Sequence, residues 1–225
     1  MLLEPRWTFR NRNWSDWAGA LFSVAFMIYF FAPTQNIFSL FLIPSMGHDL
    51  LIGLAFLIRR SRKERSAPSW NVRALAYAAT CLMPLFTLVA RTWEPQWLQT
   101  TNSPPLLLLG VLLWLAGTAF CIWPLWLMRR SFSIEPQARQ LVVSGPYTFA
   151  RHPIYTSYIL QYAGLLMITP SIPFAWVCGL WFVVMFFRAR NEEQVLESIY
   201  LEYPAYRQTV GMFWTVPKLR SPAEA

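Results

Sequence analysis

The chain has 225 residues, of which 56% are hydrophobic, 17% aromatic and only 13% charged. A soluble domain carries about 25% charged residues, so the composition excludes an ordinary soluble domain and points to an integral membrane protein of one domain, residues 1–225. The formal charge is +8, but the bases sit beside apolar runs, a placement that reads as membrane topology and contact with anionic lipid head groups, with no nucleic acid as partner.

Arg6, Arg10 and Arg12 precede the first apolar stretch. The pattern resembles a signal peptide, but no small-residue cleavage site follows, so it reads as a retained first span. A helix needs about 20 apolar residues to cross the hydrocarbon. The first span runs from Trp17 to Phe31 and is closed by Pro33; the second runs from Ile37 to Ile58 and is ended by Arg59 and Arg60. The third covers Val72 to Ala90, and the fourth covers Pro105 to Met128, ended by Arg129 and Arg130. Two short runs follow, Ile154 to Ile168 and Ile172 to Phe187, joined by Thr169-Pro170-Ser171. They read as a helical hairpin whose first arm is tilted or spans only in part. Trp14, Trp17, Trp70, Trp93 and Trp97 lie near span ends, where amphipathic rings settle at a bilayer interface. Cys81, Cys121 and Cys178 each lie inside an apolar run without metal-ligand spacing and read as small buried side chains.

Six crossings put the basic loops on one side. Of the 19 bases only Arg91 falls on the other face, which leaves eighteen on the first. Such sorting predicts that both termini are cytoplasmic. Within the second span, His48 and Asp49 lie about 16 Å of helix rise from Arg59. They read either as an interhelical polar clamp or as the lining of a substrate tunnel, with Pro44 and Gly47 able to kink the span nearby.

The polar residues that remain cluster around the last two spans. Ser144-Gly145-Pro146-Tyr147 is a turn by its residue types, and Arg151-His152-Pro153-Ile154-Tyr155 follows it. Pro153 favours an extended His152 and suits the first turn of a helix, whose amide groups make a natural anion site. The run from Ile172 continues as helix past Phe187, because Arg, Ala, Glu, Gln and Leu are good helix formers. On that helix Arg188 shares a face with Glu192, and Arg190 lies three residues from Glu193. By spacing alone these are either two surface ion pairs at a membrane exit or a charged wall that recognises a zwitterion.

Taken together and in order, Leu141 to Tyr147, Ala150 to Tyr155, Arg188 to Glu193, Leu196, Glu202-Tyr203 and Tyr206 resemble the C-terminal half of the isoprenylcysteine carboxyl methyltransferase family, a group that includes membrane phospholipid methyltransferases. The resemblance covers roughly residues 131 to 217; residues 1 to 130 show four spans and no family motif. It implies a membrane-embedded methyltransferase that uses S-adenosylmethionine, with a cytoplasmic cofactor pocket and a tunnel from the bilayer for a lipophilic acceptor. It assigns Tyr147, Arg151, His152, Pro153, Tyr155 and Glu193 to the cofactor, and it matches Arg188 and Glu192 to the catalytic positions. His48 and Asp49 are the tunnel candidates. The chain departs from the family at Tyr200-Leu201-Glu202-Tyr203, where many members have Phe-Gly before the Glu, and at Gly211-Met212-Phe213-Trp214, where an arginine is common.

The chemistry suits these residues. Methyl transfer from a sulfonium is an in-line displacement that needs alignment and exclusion of water. A carboxylate or thiolate acceptor needs no base, whereas a protonated amine does. The cofactor's methionine end is a zwitterion, which pairs Glu193 with its amino group and Arg151 or His152 with its carboxylate. The Gly-rich fingerprint of a soluble dinucleotide fold is missing.

The expectation is thus an all-α polytopic membrane protein of about six spans, with residues 1–130 a four-span region and 131–217 the cofactor-binding catalytic region. It holds no metal and acts on an isoprenylcysteine-type carboxylate, a thiol or a phospholipid amine, in a bacterial inner membrane or an endoplasmic reticulum membrane. The alternatives are a sterol-reductase-like membrane reductase using NADPH, and a non-catalytic membrane protein with a degenerate methyltransferase fold.

Overall fold

The computed structural model describes residue 21, scattered positions between 74 and 90, and residues 93–128 and 141–214. His48 and Asp49, the first two expected spans and both chain ends lie outside the described residues. Every regular element among the described residues is helical. Positions of the expected third span that are described, from 74 to 90, are helical. Four α-helices follow: α1 at Pro104–Met128, α2 at Pro153–Ile168, α3 at Ile172–Ile199 and α4 at Tyr203–Thr209. Single 3-10 turns sit at Pro95–Leu98 and Gly145–Thr148.

Helix α1 has 25 residues and no charge, so at 1.5 Å per residue it is about 37 Å long and can cross a hydrocarbon core of about 30 Å. Its Leu108, Leu112, Leu115, Ile122 and Trp126 are exposed in the isolated chain, the surface that lipid tails would cover. Helix α3 has 28 residues. Its stretch Ile172–Phe187 is uncharged, and Arg188 opens a charged end that extends beyond the apolar part. These two are long and apolar enough to span a membrane. Helix α2 has 16 residues, about 24 Å, which agrees with an element too short to cross upright.

Glycines set the packing of α1 on α2. A Cβ on Gly164 would stand 2.5 Å from the Gly110 carbonyl oxygen, and one on Gly117 would stand 2.8 Å from the Ser157 carbonyl oxygen. The pairs run in opposite senses along the chain, so the helices are antiparallel, and each glycine lets one backbone lie against the other as small residues do between membrane helices. Helix α2 runs along α1 for most of its length and meets α3 at fewer positions. Tyr162 meets Trp181 edge-on at 4.6 Å, with Tyr158 6.0 Å from the same ring. Met83, Phe86 and Ala90, spaced three and four apart on one helical face, are buried in the core. Phe86 stacks on Phe174 near the start of α3 at 5.4 Å.

Candidate active site

The polar site lies where α2 begins and the uncharged part of α3 ends. Pro153 occupies the first turn of α2, its missing amide hydrogen falling where a helix has no internal partner for one. His152 caps the helix with φ −123° and ψ 64°. Upstream, Gly145 adopts φ +62°, and a Cβ there would stand 2.9 Å from the Leu127 side chain. That turn requires glycine for both conformation and space. It seats Tyr147 as a buried residue against the end of α1.

Across from this turn, α3 presents Arg188, Glu192 and Glu193. Glu193 is 2% exposed. Its Oε1 accepts from Arg151 Nε at 2.8 Å and lies 3.2 Å from His152 Nε2. Glu192 Oε1 accepts from Tyr155 Oη at 2.5 Å and from Arg188 Nε at 3.1 Å, while its Oε2 is 3.6 Å from His152 Nδ1. The Arg188 guanidinium lies 5.5 Å from the centre of the Tyr155 ring, and that ring stacks on His152 at 5.2 Å. Thus Arg151, His152, Tyr155, Arg188, Glu192 and Glu193 form one network, with Pro153 buried beside His152 at the helix start, although the two motifs stand some forty residues apart in sequence. Arg188 is buried, so its pair with Glu192 is no surface ion pair. The suggested partnership of Arg190 with Glu193 is absent from the site: Glu193 turns to α2, and Arg190 lies over the Phe186 ring at 5.7 Å.

The segment after α4 completes the site, and sequence reasoning did not assign it. The backbone amides of Arg151 and His152 donate to the carbonyls of Gly211 and Met212, each at 2.9 Å. Arg151 Nη1 donates to the Arg207 carbonyl at 3.0 Å and also to that of Val210. The two amides just ahead of α2 are therefore occupied by protein, which corrects the expectation that they stand open to an anion. Arg207 approaches Glu193 Oε2 at 3.8 Å and bonds Glu197 Oε2 at 3.1 Å. Tyr206 Oη donates to the Tyr147 carbonyl at 2.6 Å. Burial holds the phenols of Tyr147, Tyr203 and Tyr206 well above the usual tyrosine range, and the nearby Glu193 carboxylate adds to this at Tyr203 and Tyr206. All three stay protonated at neutral pH and can act only as hydrogen-bonding groups.

Two buried polar atoms at this place have no hydrogen-bond partner among the described residues, Glu193 Oε2 and Tyr203 Oη. Buried polar atoms normally find one. An unused carboxylate oxygen fits the ammonium of an amino-acid end group. Among the described residues no group of His, Cys, Asp and Glu is placed to hold a metal ion.

The family comparison covers this architecture. The model of the phospholipid methyltransferase family matches residues 101–203, from just before α1 to the start of α4. Over this segment the chain is similar to the phospholipid methyltransferases. The resemblance to the isoprenylcysteine carboxyl methyltransferases holds at this family level. The chain is also 31% identical over 133 residues to a nickel-cobalt-cadmium resistance protein of Alcaligenes xylosoxydans xylosoxydans, covering 58% of this chain and 60% of that protein. It is 32% identical over 124 residues to a cobalt-zinc-cadmium resistance protein of Cupriavidus metallidurans, covering 54% and 53%. The chain therefore spans little more than half the length of these curated relatives. The matched segment contains the whole network; Tyr206, Arg207 and the carbonyls after α4 lie beyond it.

Proposed function

We propose that this chain is a membrane-embedded, S-adenosylmethionine-dependent methyltransferase acting on a lipophilic acceptor. The observation that carries the reading is the coincidence of the family match with the buried network: Arg151 and His152 on one motif meet Glu193 on the other inside residues 101–203.

When bound, S-adenosylmethionine supplies an electrophilic methyl group on a sulfonium. Glu193 would hold its ammonium through Oε2, which has no hydrogen-bond donor among the described residues and only the Arg207 guanidinium at 3.8 Å. Arg151 spends Nε and Nη1 on protein oxygens and His152 sets Nε2 against Glu193, so both fix Glu193, and Arg151 through Nη2 or His152 through Nδ1 would meet the carboxylate. Tyr147 and Tyr155 would line the same site. Arg188 precedes Glu193 by five residues, about 7.5 Å of rise, on the side of the apolar run. Arg188 and Glu192 therefore face an acceptor that arrives from the bilayer. Arg188 would orient a carboxylate or a phospholipid phosphate, and Glu192 would take the proton of an amine acceptor. His48 and Asp49 remain proposed as tunnel residues.

Binding and label transfer test this reading whichever acceptor the enzyme uses. Purified protein should bind S-adenosylmethionine with a Kd of about 1 μM, and His152→Ala and Glu193→Ala should each weaken binding while keeping the helical content. Incubation with methyl-labelled cofactor and a lipid extract should transfer label to a lipid. Wild-type protein without measurable binding would end the methyltransferase reading, and unchanged binding in both variants would move the pocket elsewhere.

A further inference from the structure

Thr156 lies on α2 one turn beyond His152 and is buried at 5% exposure. It belongs to none of the motifs above. Its hydroxyl is 2.7 Å from the Phe213 carbonyl oxygen and 3.2 Å from that of His152. A hydroxyl has a single hydrogen to donate, and the shorter contact takes it. The backbone amide of Thr156 meanwhile donates to the His152 carbonyl at 3.0 Å and closes the first turn of α2. One residue is thus fastened to the helix start on one side and to the segment after α4 on the other.

That segment touches the network in more than one way. Gly211 and Met212 accept the amides of Arg151 and His152. The Phe213 ring stands 6.3 Å from the His152 imidazole and 5.8 Å from Phe182 on α3. The Arg151 guanidinium reaches Glu193 while also holding the carbonyls of Arg207 and Val210. Displacing residues 211–213 would therefore loosen Arg151 and His152 together, and with them the groups that fix Glu193.

We propose that Thr156 is a positioning residue of the site: its hydroxyl ties the Gly211–Phe213 strap to α2 and so holds Arg151, His152 and Glu193 in the arrangement that receives the cofactor. The inference rests on the methyltransferase reading for the identity of that cofactor. The hydroxyl matters here, because valine would fill the same space without donating to the Phe213 carbonyl.

Three proteins test it: the wild type, Thr156→Val and Thr156→Ser. Affinity for S-adenosylmethionine is measured well below the unfolding temperature of each, and tryptic cleavage after Arg207 is followed by mass spectrometry with and without S-adenosylhomocysteine. Thr156→Val should bind about tenfold more weakly and be cut after Arg207 several-fold faster. Thr156→Ser should restore both properties, which a role in packing alone would not produce. In the wild type, S-adenosylhomocysteine should slow the cut, a measurement that stands even where the valine protein fails to fold. Equal affinity and equal cleavage in Thr156→Val and wild type would overturn the proposal, as would a serine protein as impaired as the valine one or, in a wild type that binds S-adenosylhomocysteine, a cut that the bound ligand leaves unchanged. A wild type that binds no cofactor while Thr156→Val is still cut faster would locate the failure in the methyltransferase reading, because cleavage requires no ligand.

Discussion

Glu192 and Glu193 are neighbours on one helix with different surroundings. Glu193 is sealed in by Arg151 and His152, whereas Glu192 keeps one fifth of its side chain exposed and is held by Arg188 and Tyr155. The two partners of Glu192 are not equivalent. Tyr155→Phe removes one hydrogen bond and leaves Arg188 in place, at a cost of about 1 kcal/mol. Arg188→Met leaves a carboxylate that is four-fifths covered without its arginine, at a cost of about 2–3 kcal/mol, below the full value for a buried pair because water reaches Glu192. Thermal unfolding in detergent should rank wild type above Tyr155→Phe and Tyr155→Phe above Arg188→Met. The opposite order would mean that the tyrosine hydroxyl is the principal support. The spacing of residues 188 to 193 indicated which side chains share a helical face. It carried no information on which face turns toward α2, and so it paired Glu193 with Arg190 when the fold pairs it with Arg151.

At the scale of elements, the helices were largely readable. Span four was expected from Pro105 to Met128 and is helical from Pro104; the next run was expected from Ile154 and starts at Pro153; the helix from Ile172 continues through its charged end as expected. Hydrophobic runs and proline positions suffice for that. The strap after α4 was not readable, because its contacts use backbone carbonyls, which every residue type has. Packing of α1 on α2 offers a sharp test. A methyl group on Gly164 would meet the Gly110 oxygen and the Trp114 nitrogen at 2.5 and 2.7 Å, and backbone atoms cannot step aside. Gly179 on α3 has nothing within 4 Å of its added Cβ. Gly164→Ala should therefore lower stability by about 1–3 kcal/mol, while Gly179→Ala should be neutral or gain up to about 1 kcal/mol from helix propensity. Similar melting points for the two variants would contradict the close approach of α1 and α2.

For the whole molecule, the described residues supply two helices able to span a bilayer, and the six-span arrangement is an expectation from the sequence. Its strongest support is the sorting of eighteen of the 19 bases. We therefore predict that Lys63→Cys and Gln140→Cys react with a membrane-impermeant thiol reagent only from the cytoplasmic side. Labelling of either from the outside alone would overturn that topology. The site's position agrees with it, since Arg151, Arg188 and Glu193 gather at one end of α3 together with Arg190 and Arg207. A water-soluble cofactor would then enter from the cytoplasm and a lipid from the side.

The strap across the His152 turn also orders events during synthesis. A polypeptide grows from its N-terminus, so α1, α2 and α3 leave the ribosome before Gly211, Met212 and Phe213 do. Until those residues emerge, the amides of Arg151 and His152 lack the acceptors they have in the finished protein. A nascent chain can thus have its apolar helices formed while the His152 turn is still open, and the arrangement around Glu193 is completed only when residues 211–213 emerge. Under the proposed function, chains that stop before residue 211 would occupy the membrane without a finished cofactor site.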